Sequence, residues 1–213
     1  MKPFPPPSSL FCVLFSVAVA GPQELAPDLN YLRVHRLAAD LPALEGALSG
    51  PRALVLDLRH ATATEDAAHQ LRSALTRQPA GRTFFILVGP ATPPIVTDAL
   101  PGGAMTLGIF EANPAPRVPV RQPADADRRA YDALEAGTPL ATLISGRMEK
   151  ERYDEAMLVQ EFQNGNPSPE PPPPPDPTAA KPAAPEVPPT DRVLQRAVHL
   201  HRALLALRPR PPG

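Results

Sequence analysis

The sequence predicts an α/β fold with a mostly parallel sheet and flanking helices. Two short apolar runs, residues 53–58 and 83–88, have the length and composition of buried strands. Between the two runs, Ala67, Leu71 and Leu75 recur at the spacing of one helix face. A strand, a crossover helix and a second strand form the basic parallel unit, so this stretch is expected to be the centre of the fold.

Other elements flank this central unit. Asp40 and Asp125 are predicted N-caps, and Thr62 or Thr64 opens the crossover helix. Gly137 is expected to end a helix, since glycine is favoured just past helix ends. The remaining predicted elements are strands at 31–34, 106–110 and 118–120 and helices at 41–49, 95–100, 126–136 and 149–162. We therefore expect helices on both faces of the sheet.

The N-terminal segment has the pattern of a secretory signal peptide, predicted to span residues 1–20. Lys2 precedes an apolar stretch, and the small residues Ala18 and Ala20 fit a cleavage site after Ala20. The apolar stretch is about half of the roughly 20 residues needed to span a bilayer, so we expect cleavage and no stable membrane span. Cys12, the only cysteine, lies within this segment, so we expect neither a disulfide nor a thiol nucleophile in the mature chain.

Charge and composition narrow the classes of partner. The formal net charge is -1 and becomes -2 once Lys2 is removed, and no block of like charge stands out. A nucleic-acid partner is therefore not expected, since such proteins carry a concentrated positive surface. Beyond the signal segment the only lysines are Lys150 and Lys181, which limits the general bases available for catalysis. Few lysines beside many Arg, Ala and Pro also indicate a GC-rich bacterial genome.

Proline divides the mature chain into three parts. Residues 166–190 are rich in Pro, Ala and Glu, a composition that neither pairs backbone amides nor buries a core. We therefore expect an α/β core at 21–165, an extended linker at 166–190, and an amphipathic helix with its tail at 191–213. Asp191 is the predicted N-cap of that helix. The apolar stripe of the helix is predicted to comprise Val193, Ala197, Leu200, Leu204 and Leu207.

The first central strand ends in the sequence Asp57-Leu58-Arg59, and the second leads into a loop before a helix start. This order resembles the core of the C-terminal processing (tail-specific) serine proteases, over residues 30–162. The resemblance implies a ClpP/crotonase-like core. Together with the signal peptide, it also implies a protein exported to the periplasm or to the outside of a bacterium.

The catalytic residues of that family are missing at the matching positions. The family places a serine nucleophile near the start of the helix after its second central strand, and a lysine base follows later. Here Pro93 falls at the serine position, with Thr92 and Pro94 beside it, and no lysine occurs between residues 100 and 148. The loop at 60–65 also lacks the glycine that the family uses in its oxyanion hole. The resemblance therefore implies a relative without the Ser/Lys dyad.

The residues expected to bind a ligand follow the carboxyl ends of the two central strands, where parallel sheets usually bind ligands. The predicted binding residues are Asp57, Arg59, His60 and Thr92. Thr92 is also the candidate nucleophile and His60 the candidate base. The spacing of His60 and His69 matches no familiar zinc pattern, so neither a metal nor another cofactor is expected.

Three functions are compatible with these patterns. The first is a non-catalytic relative of the tail-specific proteases that binds a protein or peptide, by strand addition at a sheet edge or in the empty active-site cleft. An active serine or threonine hydrolase, with a rearranged nucleophile at Thr92, Thr97 or Ser145, is the second. The third is an envelope assembly or structural protein that self-associates through its C-terminal helix. The missing serine, lysine and glycine together favour the first.

Overall fold

A computed structural model contains a six-stranded sheet, and it describes residues 21–79, 82–145 and 189–207. The strands lie side by side in chain order. They are β1 (Gln23–Ala26), β2 (Leu29–Arg33), β3 (Ala53–Asp57), β4 (Phe84–Leu87), β5 (Met105–Ile109) and β6 (Val118–Val120). β1 runs antiparallel to β2, and every later strand runs parallel to its neighbour. The predicted α/β class with a mostly parallel sheet is therefore confirmed.

Three helices of the described residues cover each face of the sheet. Those on one face are α1 (Leu37–Ser49), α2 (Glu65–Thr76) and α3 (Pro94–Asp98). Those on the other face are α4 (Ala124–Glu135), α5 (Leu140–Ile144) and α6 (Arg192–Ala206). Successive side chains of a strand point to opposite faces, so Leu54 and Leu56 join the first apolar core while Val55 joins the second.

β3 is the doubly covered strand that its apolar composition predicts. It pairs with β2 and β4, and four of its five residues are fully buried. Burial on both faces explains why apolar residues run through this strand without alternation. The ladder aligns Arg33 of β2 with Asp57 of β3, which brings two charged side chains together at the carboxyl end of the sheet.

Helix starts differ from the predicted ones by a few residues. Thr64, one of the two predicted alternatives, is the N-cap of α2. α1 begins at Leu37 and not after Asp40, because the Asp40 carboxylate reaches back to two backbone amides before the helix, at 2.8 and 3.0 Å. α4 begins at Ala124, so Asp125 lies in its first turn, where negative charge suits the helix dipole.

α6 packs on the sheet of its own chain. Asp191 is its N-cap, as predicted, and accepts a hydrogen bond from the amide of Leu194 at 2.8 Å. The predicted apolar stripe is wrong in its second half, because Leu204 and Leu207 are 38% and 78% exposed. The helix contacts β4, β5 and β6, and none of residues 203–207 is buried. The buried residues of the helix are Val193, Leu194, Gln195, Ala197, Val198 and His201.

Three predicted segments lie outside the described residues. They are the signal segment at 1–20, the helix at 149–162 and the linker up to residue 188. Among the described residues, no helix has both the length and the apolar character needed to cross a membrane. The described residues therefore form one sheet with three helices on each face.

Candidate functional site

A buried arginine lies at the carboxyl end of β3. Asp57 is the last residue of the strand, and Arg59 follows two positions later with a side chain that is 1% exposed. The Arg59 Nε donates to Asp57 Oδ1 at 3.0 Å, and Nη2 donates to Asp57 Oδ2 at 2.7 Å. This two-point geometry matches the planar guanidinium to the carboxylate and is among the strongest of ionic hydrogen bonds.

Two further carboxylates complete the contacts of this guanidinium. Asp127 of α4 accepts a hydrogen bond from Arg59 Nη1 at 2.8 Å, and Asp191 at the start of α6 accepts one from Nη2 at 2.7 Å. We call Arg59, Asp57, Asp127 and Asp191 the Arg59 cluster. None of its side chains is more than 5% exposed. The cluster therefore joins the sheet to α4 and to α6 in the protein interior.

The Arg59 cluster holds one positive and three potential negative charges. Burial is the largest influence and would raise the pKa of Asp57, but the charges of Arg59 and Arg33 and the hydrogen bonds from Arg59 and Tyr31 together outweigh it and lower that pKa to about 2. For Asp127, burial is the largest influence, and the attraction of Arg59 does not fully offset it, so the pKa of Asp127 is raised. Of these two carboxylates, Asp127 is therefore the one whose environment favours the protonated form.

A hydrogen-bonded tyrosine connects this cluster to a second arginine. The Tyr31 hydroxyl donates to Asp57 Oδ2 at 2.7 Å, and it accepts a hydrogen bond from Arg33 Nε at 3.1 Å. Burial, followed by the charge of Asp57, raises the pKa of Tyr31 well above its ordinary value. Tyr31 therefore stays protonated and serves as a fixed donor between the two charged groups.

The guanidinium of Arg33 has fewer partners than that of Arg59. The Arg33 side chain is 6% exposed and lies over the ring of Tyr131, 3.9 Å from the ring centre. Its Nη1 lies 3.8 Å from a Glu135 carboxylate oxygen, and its Nη2 is buried with no hydrogen-bond partner among the described residues. A cavity of about 190 Å³, which we call the Arg33 pocket, is bounded by this side chain, His35, Glu135 and the start of β1.

Thr92, the candidate nucleophile, is buried with its hydroxyl already engaged. The hydroxyl donates to the carbonyl of Leu58 at 3.0 Å and accepts from the amide of Gly89 at 2.9 Å. A threonine attacks a substrate only when a base is held within hydrogen-bond reach, and no base contacts this hydroxyl among the described residues. The contacts of Thr92 tie the loop after β4 to the end of β3.

The other candidates for catalysis are also separated from one another. The ring of His60 packs edge-on against Tyr131 at 4.3 Å, and its Nδ1 lies 3.5 Å from Arg128. Burial, followed by the positive charges around it, lowers the pKa of His60. The hydroxyls of Thr97 and Ser145 each donate to a backbone carbonyl of their own helix turn, at 2.9 and 2.8 Å. None of these hydroxyls is hydrogen-bonded to His60 in the part of the chain that the structure describes.

A larger cavity, of about 1020 Å³, lies at the opposite end of the sheet. Each of its three arginines has at least one protein partner, although the Arg82 Nε is buried without one among the described residues. Arg52 lies 3.6 Å from Glu24, Arg77 lies 3.5 Å from Glu45, and Arg82 donates to the carbonyls that end α1 and precede β3. Within the described ranges, no group of three or more His, Cys, Asp or Glu side chains is placed to hold a metal ion.

Of the four predicted binding residues, the structure joins Asp57 and Arg59 directly. It places His60 and Thr92 in separate environments, and it buries three of the four away from solvent, so those three cannot meet a ligand without local opening. Sequence reasoning missed Tyr31, Arg33, Asp127 and Glu135 and gave Asp191 only a capping role. The alternation of Tyr31 and Arg33 on one face of β2 was the available signal for the first two.

Comparisons with known proteins found no match to this chain among protein-family models, curated proteins or solved structures. Its own residues are therefore the basis on which a function is proposed.

Proposed function

We propose that this chain is a non-catalytic binding protein that accepts an extended peptide along the outer edge of β1. The observation that carries this proposal is the edge itself. β1 is the outermost strand of the described sheet, it has no strand on its outer side, and it contains no proline. An unpaired strand edge offers a row of amide and carbonyl groups that an incoming strand can pair with.

The opposite edge of the sheet is less suited to strand addition. Pro119 sits in the middle of β6 and removes a backbone donor. The chain just after β6 is also occupied, because Arg192 of α6 contacts the carbonyl of Arg121 and the side chain of Gln122. On β1, a register shift between Glu24 and Ala26 bends the strand, so an added peptide is expected to pair with its Gln23 end.

The use of the polar groups supports binding over hydrolysis. The Asp57-Leu58-Arg59 sequence, which resembles that of the tail-specific proteases, lies where its two charged side chains hold helices on the sheet. The hydroxyl of Thr92 holds a loop. These side chains therefore already take part in contacts that stabilise the fold. We propose that the chain is an exported relative of that family, with a ClpP/crotonase-like core and a periplasmic or extracellular location.

Assembly through the terminal helix receives less support. The first half of α6 is buried against the core of its own chain, which leaves a neighbouring copy only the last turn, with Leu204 and Leu207. Such a short apolar surface is smaller than a stable interface normally requires.

Peptide binding can be tested with the full chain and a random-peptide display library. For a selected peptide, affinity is measured after N-methylation of alternate residues, because alternate amides of a strand point to opposite edges. Strand addition predicts that one alternate set reduces affinity about tenfold or more while the other set has little effect. New protection of β1 amides from hydrogen exchange is the second readout. Failure to select any peptide, equal effects of the two sets, or cleavage of the peptide would contradict the proposal.

A further inference from the structure

The guanidinium of Arg33 has N–H donors for which the described residues supply no acceptor. A guanidinium has five N–H donors, and here one donates to Tyr31 while the nearest carboxylate among the described residues, that of Glu135, is 3.8 Å away. Nη2 is buried without a partner among the described residues. Nη1 has only the long contact to Glu135, so an anion in the Arg33 pocket that came within hydrogen-bond distance of Nη1 would gain a charge-assisted hydrogen bond.

The Arg33 pocket gives such an anion a place beside the guanidinium. Its volume of about 190 Å³ is large enough for the end of one side chain and too small for a drug-sized ligand. His35 and Glu135 also bound this pocket, and the His35 Nε2 lies 3.2 Å from the same Glu135 oxygen. Glu135 is half exposed, so it can turn away from both nitrogen-bearing groups when another carboxylate takes its place.

The pocket lies next to the proposed peptide edge. Gln23 of β1 is opposite Tyr31 in the sheet register, and both residues bound the Arg33 pocket. A peptide strand added outside β1 would lie about 4.8 Å beyond it and would place every second side chain on the face that carries Tyr31 and Arg33. A side chain of that set, or the terminal carboxylate of a short peptide, lies on the same face as the pocket and would reach it by crossing Gly21 and Gln23, since β2 is two strand spacings, about 10 Å, from the added strand.

We propose that the Arg33 pocket is a specificity subsite in which Arg33 and His35 bind a peptide carboxylate at the Gln23 end of β1. This subsite rests on the proposed function. Glu135 occupies the subsite in the unbound protein and leaves it on binding. The chain therefore prefers extended peptides that carry an acidic group at this one position and tolerates varied side chains elsewhere.

The test compares matched peptides on matched protein variants. In a selected peptide, Asp or Glu residues are changed singly to Asn or Gln, and the free terminal carboxylate is changed to an amide. One of these changes is expected to lower affinity for the wild-type chain about tenfold, and which one it is identifies the source of the carboxylate. The selected peptide with its carboxylate intact is expected to bind the Glu135→Gln variant about threefold or more tightly than it binds the wild-type chain. The peptide in which that one carboxylate has been changed to an amide, called the amide peptide, is expected to bind both proteins equally.

Asp132→Asn is the control variant, because Asp132 is an exposed carboxylate on the same helix that pairs with Arg128 and lies outside the pocket. It is expected to leave both affinities unchanged. If peptides add to β1 with the alternating N-methyl pattern but acid and amide forms bind equally, the subsite is wrong and the proposed function stands. If no peptide binds, both fail. A gain in affinity for the amide peptide in Glu135→Gln, or the same gain in Asp132→Asn, also overturns the subsite.

Discussion

Two buried arginines on the same face of the sheet have opposite environments. Every terminal nitrogen of Arg59 meets a carboxylate at 2.7 or 2.8 Å, and Nε meets one at 3.0 Å. Arg33 has a tyrosine oxygen, an aromatic ring and a carboxylate at 3.8 Å. The two side chains are similarly buried, so burial alone does not distinguish them. The difference lies in how completely each guanidinium is hydrogen-bonded.

This difference separates an architectural group from a binding group. The partners of Arg59 come from β3, α4 and α6, so its contacts determine how the helices sit on the sheet. Arg33 lies on the second strand of the sheet, beside a small cavity that reaches the free edge. A fully bonded buried ion has nothing left to offer a ligand, whereas an incompletely bonded one gains from an added partner.

Substitution of Arg59 by Met should have the largest effect on stability. It removes the cation and leaves three carboxylates buried together, a change that typically costs about 3–5 kcal/mol of unfolding free energy. Urea denaturation followed by circular dichroism measures this loss. Arg128→Met, at an exposed arginine on α4, is the control and should leave the denaturation midpoint nearly unchanged, because exposed ion pairs contribute little to stability. Equal denaturation midpoints for the two variants would contradict a structural role for the cluster.

Substitution of Asp191 by Ala should have the next largest effect and should act on α6. The change removes the helix cap and one ion pair together, so we expect a loss of about 2 kcal/mol. Hydrogen exchange should become faster in α6 before it does in β3 or β4. Asp191→Asn keeps a capping side chain and should lose about half as much. Uniform acceleration across the sheet would show that Asp191 does not act through the helix.

Substitution of Asp127 by Asn should change how stability depends on pH. The pKa of Asp127 is raised in the folded chain, so this group disfavours folding as pH rises through the ordinary carboxyl range of about 4 toward the folded pKa. The variant lacks this penalty, and its stability relative to the wild-type chain should therefore rise as pH increases. Urea denaturation of both proteins between pH 3 and pH 7, in steps of about one pH unit, provides the measurement. A difference in unfolding free energy between the two proteins that does not change with pH would contradict the raised pKa of Asp127.

Asp57 should change the pH dependence of stability in the opposite direction from Asp127. Its pKa is lowered to about 2, so its contribution is complete above the ordinary carboxyl pKa and is lost as pH falls toward 2. Acid denaturation of the wild-type chain should therefore steepen below about pH 4. Asp57→Asn should remove this part of the pH dependence.

Substitution of Arg33 by Met should have the smallest effect on stability. The long apolar side chain retains packing on Tyr131, and the removed guanidinium has a single close hydrogen bond, so we expect a change of about 1 kcal/mol or less. The same denaturation experiment as for Arg59 gives the comparison. A loss as large as that of Arg59→Met would show that Arg33 stabilises the fold as much as Arg59 does and would remove the contrast between them.

Local patterns were sufficient to predict most of the elements. The apolar runs of β3 and β4 predict buried strands, and Thr64 and Asp191 predict helix starts, because strand and cap preferences depend on neighbouring residues. The stripe of α6 fails after its first half. Periodicity specifies which residues share a helix face, but it does not say how far along the helix that face is covered, and Leu204 and Leu207 are exposed.

The sequence by itself determined the α/β class, the order of most elements and the presence of Asp57 and Arg59 at the end of a buried strand, but it predicted neither β1 nor α5. Those features depend on composition and spacing over a few residues. Only the tertiary structure decided the partners of these charges, since Asp127 and Asp191 are 68 and 132 residues from Arg59 along the chain. It likewise decided that Arg33 keeps a donor without a partner among the residues that the structure describes, because helix packing sets which charged groups meet.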